Sequence, residues 1–141
     1  MSDAYAVIGN PITHSKSPLI HTAFSKQTKQ DMHYEALFSP LNGFTEAIRL
    51  FQQNDGKGMN VTIPFKSHAY KISTQLTEQA EAAQAVNTLV FNGNEIHGHN
   101  TDGTGLIRDI ITNLGFTITS KRVLLCGAGG AASGIILPLL K

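Results

Sequence analysis

A chain of 141 residues with 41% hydrophobic content is long enough to bury a core without disulfides or metal. Its 11 lysines and arginines against 10 acids leave a formal charge of +1, which excludes the electrostatic footprint of a nucleic-acid binder or of an anionic-membrane binder. The single cysteine, Cys126, excludes an internal disulfide and fits a reducing compartment. Lying in the run Val123-Leu124-Leu125-Cys126, it is expected to pack as a small hydrophobe. The N-terminal residues Met1 to Tyr5 lack the basic region of a signal peptide, and no stretch approaches the roughly 20 apolar residues that span a bilayer. A cytoplasmic protein is therefore expected.

Short apolar runs alternate with amphipathic stretches, the pattern of βαβ units and a largely parallel sheet. Tyr5 to Ile8 reads as the first strand. Ser17 and Pro18 read as the cap and first turn of a helix whose stripe is Leu19, Ile20, Ala23 and Phe24. His33 to Phe38 is the second strand. A second helix starts near Asn42 and carries Phe44, Ala47, Ile48 and Phe51 at helical spacing, before the breakers Asn54-Asp55-Gly56. Gly58 to Ile63 is the third strand, and Thr77 to Ala85 has helical propensity. Val86 to Phe91 and Glu95 to His99 flank the hairpin turn Asn92-Gly93-Asn94. A helix follows from about Asp102 to Leu114, with Gly115 ending it. Arg122 to Cys126 is expected to be a new strand leading into a last helix.

The turn after that strand, Gly127-Ala128-Gly129-Gly130-Ala131-Ala132, matches G-x-G-x-x-G/A. Its first glycine suits a tight turn, its second lets backbone approach a pyrophosphate, and the helix start offers amides to anions. Glycine-rich turns also serve plain packing, so strand before and helix after are what favour a dinucleotide. The residue that reads the ribose is expected about 20 positions further on, beyond Lys141, so NAD and NADP are not distinguished here.

Four polar motifs precede the turn, each at a strand end, where ligands bind in open α/β sheets. They are Gly9-Asn10-Pro11-Ile12-Thr13-His14-Ser15-Lys16-Ser17-Pro18, Asn60-Val61-Thr62-Ile63-Pro64-Phe65-Lys66, Ala85-Val86-Asn87-Thr88 and Gly98-His99-Asn100-Thr101-Asp102-Gly103. Ser15 and Ser17 are short donors beside Lys16 and a helix start, a reasonable anion seat, though Ser17 is equally an ordinary cap. Alternation puts Asn60 and Thr62 on one strand face and Met59, Val61 and Ile63 on the other. Asn87 fits a turn or strand edge as well as a site. Lys66 reads as a surface lysine or as a stabiliser of charge on a reacting oxygen, and Asp102 reads as a helix cap or as its orienting carboxylate. His97 and His99 share a strand face, but no cysteine or carboxylate completes a metal set, so no metal is expected. His14 is a candidate lining residue; His21, His33 and His68 read as surface or loop packing.

In this order, and followed by Gly-Ala-Gly-Gly-Ala, the four motifs resemble the shikimate dehydrogenase family across essentially the whole chain. The resemblance implies reversible NADPH-dependent reduction of 3-dehydroshikimate to shikimate, within aromatic amino-acid and chorismate biosynthesis. It implies that Ser15 and Ser17 hold the substrate carboxylate and that Asn60, Thr62, Asn87 and Asp102 bind or frame the ring hydroxyls. Lys66 with Asp102 would form the catalytic pair, and Gly127, Ala128, Gly129, Gly130 and Ala131 would hold NADP.

The expected architecture is an α/β substrate domain over residues 1–101, with a mostly parallel sheet. A linking helix and loop over 102–120 and the truncated start of a Rossmann domain over 121–141 would follow. Those 141 residues alone are expected to be inactive. A diffusible small molecule is the expected partner and a homodimer the candidate assembly. An NAD-dependent quinate/shikimate dehydrogenase and a non-catalytic pathway sensor on the same fold stand as alternatives; an intact Lys66 and Asp102 argue against the sensor.

Overall fold

Six strands, β1 (Asp3–Gly9), β2 (Met32–Phe38), β3 (Gly56–Val61), β4 (Gln75–Leu76), β5 (Thr88–Asn92) and β6 (Glu95–His99), form one sheet in the computed structural model, which describes residues 2–141. The helices are α1 (Ser17–Thr28), α2 (Phe44–Gln53), α3 (Lys66–Ile72), α4 (Glu78–Ala83), α5 (Asp102–Arg108) and α6 (Gly130–Leu140), with α5 running on into a π-helical turn over Asp109–Asn113. Strand order is β2-β1-β3-β5-β6-β4. The β1·β2, β1·β3 and β4·β6 pairs are parallel, while β3·β5 and β5·β6 are antiparallel, so the sheet is mixed. The antiparallel half arises from the hairpin, where Asn92 pairs with Glu95 across Gly93 and Asn94 and Gly93 has φ +59.

Alternation along the strands sorts residues onto two faces. Ala6, Ile8, Met59, Val61 and Leu89 turn to one side, where Phe44 and Ile48 of α2 and Phe65 and Ala69 around α3 cover them. The Phe44 and Phe65 rings stack there with centroids 4.9 Å apart. Each such ring removes enough apolar surface from water that truncation to alanine costs about 3–5 kcal/mol. Val7 and Tyr34 face the other side, and α1 lies on that side. This second face carries the polar side chains.

Several expected elements are moved or absent. Lys16 occupies the cap position of α1 and Ser17 is its first residue, with no side-chain cap. None of the α1 residues is fully buried, and Leu19, Ile20 and Phe24 are exposed; the half-buried face runs through Ser17, Pro18, His21 and Ser25. An apolar helix stripe ordinarily packs inward, but the inner face of this helix borders a polar cleft. Ile63 is also exposed, since it lies beyond the end of β3. Helix α3 and the short β4 were not expected at all. The strand expected over Arg122–Cys126 has no pairing partner among the described residues: Val123 and Leu124 are exposed, and so is Cys126, which does not pack as a core hydrophobe. An apolar run becomes a strand only when a neighbour completes its ladder.

Helix α6 packs against α4 and α5. Contact with α5 is close because Gly103 faces Gly134: a Cβ on Gly103 would lie 2.3 Å from the Gly134 carbonyl oxygen. On the other side of Gly134 a Cβ would meet the Asn100 amide at 2.8 Å, and buried Asn100 in turn donates to the Ala85 carbonyl at 3.0 Å.

Candidate functional site

Three segments at one end of the strands β3, β5 and β6 bring Lys66, Asn87 and Asp102 together. Lys66 opens α3, Asn87 precedes β5, and Asp102 is the first residue of α5. Lys66 Nζ donates to Asp102 Oδ2 at 2.5 Å, and Asn87 Nδ2 donates to Asp102 Oδ1 at 2.8 Å. Each carboxylate oxygen thus has its own donor. Thr101, not Asp102, sits at the cap position of α5, and Asn100 Oδ1 accepts the Asp102 amide at 3.2 Å, so the carboxylate is free for Lys66. Backbone bonds hold the frame: Val86 N–H to the Lys66 carbonyl at 2.9 Å and Asn87 N–H to the His99 carbonyl at 3.0 Å. The two charged side chains retain only 20% and 29% of their exposure, which screens the pair from water.

The pair sits on a cleft of about 240 Å³ that also collects Ser17, Asn60, Thr62 and Asn87. Asn60 and Thr62 thus share the expected face of β3 and its extension. Ser15 stands one step back: its Oγ accepts the Ser17 backbone N–H at 3.3 Å. His14 is exposed and meets Thr13 at 3.3 Å, and His21 lines the cleft instead. The His21 ring stacks on Tyr34 with centroids 4.1 Å apart and planes within 2°. Burial lowers the His21 pKa and pushes the Tyr34 phenol up to about 12, a hydrogen bond with Ser17 working the other way on the phenol. Tyr34 therefore stays protonated and donates to Asn60 Oδ1 at 2.7 Å. His21 and Tyr34 were missed in the sequence, where a histidine and a strand tyrosine carry no signal beyond packing.

Beside this cleft the glycine turn forms a second one of about 620 Å³, lined by Ala128, Gly129, Gly130 and Ala131. Thr62 and Lys66 border both clefts. The approach is close, since a Cβ on Gly130 would sit 3.4 Å from Lys66 Cβ. Gly127 has φ +132, a backbone state that side chains disfavour, and Gly129 looks onto open space. No side chain caps α6, so its first amides are unspent. A tight turn, room for backbone approach and free amides at the start of an 11-residue helix fit a pyrophosphate. His97 pairs with Glu95 at 2.9 Å, and among the described residues no cluster of His, Cys, Asp or Glu is arranged to hold a metal.

A family model described as the shikimate dehydrogenase substrate binding domain matches residues 7–89. The shikimate dehydrogenase (NADP(+)) of Nitrosospira multiformis is 60% identical over 141 residues, covering 100% of this chain and 51% of that protein. Among solved structures, an Ael1 enzyme from Pseudomonas putida superposes with a TM-score of 0.93 at 47% identity, covering 99% of this chain and 51% of that one. A shikimate 5-dehydrogenase from Listeria monocytogenes, solved with shikimate and NAD, superposes with a TM-score of 0.88 at 33% identity, covering 98% and 47%. The chain spans about half the length of the relatives it matches. With the match running from within β1 to the start of β5 and including Ser17, Asn60, Thr62, Lys66 and Asn87 of the cleft, the chain belongs to the shikimate dehydrogenase substrate-binding-domain family.

Proposed function

We propose that this chain forms the substrate-holding half of an NADP-dependent shikimate dehydrogenase, reversibly reducing 3-dehydroshikimate to shikimate. The observation that carries the reading is the position of Lys66, paired with Asp102 on the smaller cleft while bordering the glycine-turn cleft. Residues 1–101 would be the substrate domain, 102–120 the link and 121–141 the start of the cofactor domain. Supporting the coenzyme assignment are the free amides of α6 and the NADP(+) in the names of relatives.

When bound, the dinucleotide supplies the hydride to the carbonyl carbon or takes it back. Negative charge then develops on the carbonyl oxygen, and the Lys66 ammonium stabilises it and delivers a proton there. Asp102 holds that ammonium in place and accepts a hydrogen bond from a substrate hydroxyl. Asn60, Thr62 and Asn87 frame the remaining hydroxyls, and Ser15 and Ser17 seat the carboxylate. Gly127, Ala128, Gly129, Gly130 and Ala131 would hold the pyrophosphate through backbone amides. The Listeria neighbour's NAD keeps an NAD-dependent quinate/shikimate enzyme as the second reading. We place the protein in the cytoplasm, on the aromatic amino-acid pathway, with a homodimer as its assembly.

The test joins residues 1–141 to the second half of the Nitrosospira multiformis relative and follows NADP⁺ reduction with shikimate and with quinate. Turnover of shikimate with NADP⁺ is expected. A purified, folded chimera that turns over neither substrate overturns the reading.

A further inference from the structure

Asn60 and Asn87, which line the smaller cleft, are joined from behind by a line of hydrogen bonds through Tyr34 and Thr88. The Tyr34 Oη donates to Asn60 Oδ1 at 2.7 Å. Asn60 Nδ2 donates to Thr88 Oγ1 at 3.1 Å, and Thr88 Oγ1 donates to Asn87 Oδ1 at 3.0 Å. Asn87 Nδ2 then reaches Asp102, the partner of Lys66.

The direction of this line is dictated from its charged end. An ionised carboxylate only accepts, so Asn87 must turn its NH₂ to Asp102 and its oxygen to Thr88. Thr88 has one hydroxyl proton, which goes to Asn87, and must therefore accept from Asn60. That leaves the Asn60 oxygen facing Tyr34. Neither asparagine can flip without breaking two bonds. The Thr101 amide adds a fixed donor to Asn87 Oδ1 at 3.0 Å.

Resting on the dehydrogenase reading, we propose that Tyr34 and Thr88 are positioning residues, which lock the amides of Asn60 and Asn87 beside the Lys66–Asp102 pair. Tyr34 suits the task because it is 8% exposed and clamped by the parallel His21 ring. Thr88 suits it because its register opposite Asn60 and His99 is fixed by two strand pairings. Loss of either hydroxyl frees an amide that must otherwise be ordered when substrate binds, so the effect falls on KM more than on kcat.

The experiment uses the chimera described above with Tyr34→Phe, Thr88→Val and Thr88→Ser. Tyr34→Phe keeps the ring and its stacking, Thr88→Val keeps the β-branched shape, and Thr88→Ser keeps the hydroxyl. KM for shikimate should rise about tenfold in Tyr34→Phe and in Thr88→Val, while kcat stays within about threefold and Thr88→Ser stays near the parent. In ¹⁵N spectra the side-chain amide signals of Asn60 should move in Tyr34→Phe, and those of Asn87 in Thr88→Val but not in Thr88→Ser. Unchanged KM in both hydroxyl-free variants of an active chimera overturns the positioning role and leaves the dehydrogenase reading standing. Equal losses in Thr88→Val and Thr88→Ser overturn it too, because the hydroxyl is then not the cause. An inactive parent chimera overturns the reading and the inference with it.

Discussion

Lys66 Nζ lies 2.5 Å from Asp102 Oδ2 although 36 positions separate the two residues, one opening α3 and the other opening α5. The backbone bond from Val86 N–H to the Lys66 carbonyl ties α3 to the segment carrying Asn87, which holds the other carboxylate oxygen. A lysine placed this way holds its charge at one point in space before substrate arrives, which is what stabilising a developing oxyanion requires.

Replacing Lys66 with alanine in the active chimera should therefore reduce kcat by about 10²-fold or more, with KM changing much less. Steady-state kinetics with shikimate and NADP⁺ measure both constants. A kcat near that of the parent removes Lys66 from the chemistry.

The two serines separate by signature. Ser15 Oγ accepts the Ser17 amide at the start of α1, while Ser17 makes no cap of its own. Ser15→Ala should lower stability by about 1 kcal/mol in addition to weakening shikimate binding, because its Oγ both accepts the Ser17 amide and seats the carboxylate. Ser17→Ala should weaken shikimate binding by about 10- to 150-fold with little change in the urea midpoint. Calorimetric titration with unchanged affinity for Ser17→Ala counts against the carboxylate seat.

Much of this arrangement was legible in the sequence, and the remainder was not for identifiable reasons. The strands at Tyr5 to Ile8 and His33 to Phe38 showed because apolar runs bounded by turn residues leave few other solutions. Helix α3 stayed hidden because Lys66-Ser67-His68-Ala69-Tyr70 lacks an apolar period; only Ala69 is fully buried, and the helix is held by its neighbours. The exposure of Leu19, Ile20 and Phe24 on α1 was not legible because amphipathicity tells which face is apolar, not what the inner face borders. His21 and Tyr34 belong to α1 and β2, and only the packing of helix on sheet stacks them.

Stability should respond to acid through His21. Burial lowers its pKa in the folded state below the ordinary 6.5, so the unfolded chain binds the proton more readily. The His21 contribution is therefore level above 6.5 and is lost as pH falls below it. Urea midpoints for the parent and His21→Phe across mildly acidic to neutral pH test this. The parent should lose more stability on acidification than the variant, and parallel curves would exclude His21 as the cause.

Helix α6 should depend on its glycines. Gly134→Ala places a methyl 2.8 Å from the Asn100 Oδ1, inside a contact that neither helix nor the buried amide can widen without losing the bond to Ala85. The expected loss is about 1–3 kcal/mol by urea unfolding. Gly105→Ala is the control, because a Cβ there meets nothing within 4 Å. It should be neutral or stabilising, since alanine is the better helix former.

The segment Arg122 to Cys126 makes the last prediction. It carries the composition of a buried strand, yet Leu124 is 87% exposed and no ladder pairs with it among the described residues. Unpaired amides exchange quickly with solvent, because no hydrogen bond must open first. Hydrogen exchange on the 141-residue chain should therefore show 122–126 unprotected, while Ala6 to Ile8, buried at the sheet centre, exchange slowly. Joined to the second half of the Nitrosospira multiformis relative, the same segment should gain strong protection as new strands complete its ladder. Hydride transfer needs the reacting carbons held within about 3–3.5 Å, so the 141 residues alone should show no turnover while this strand and the turn after it are unsupported. Strong protection of 122–126 in the isolated chain, or shikimate oxidation at the rate of the chimera, would show that these residues already form a complete cofactor site.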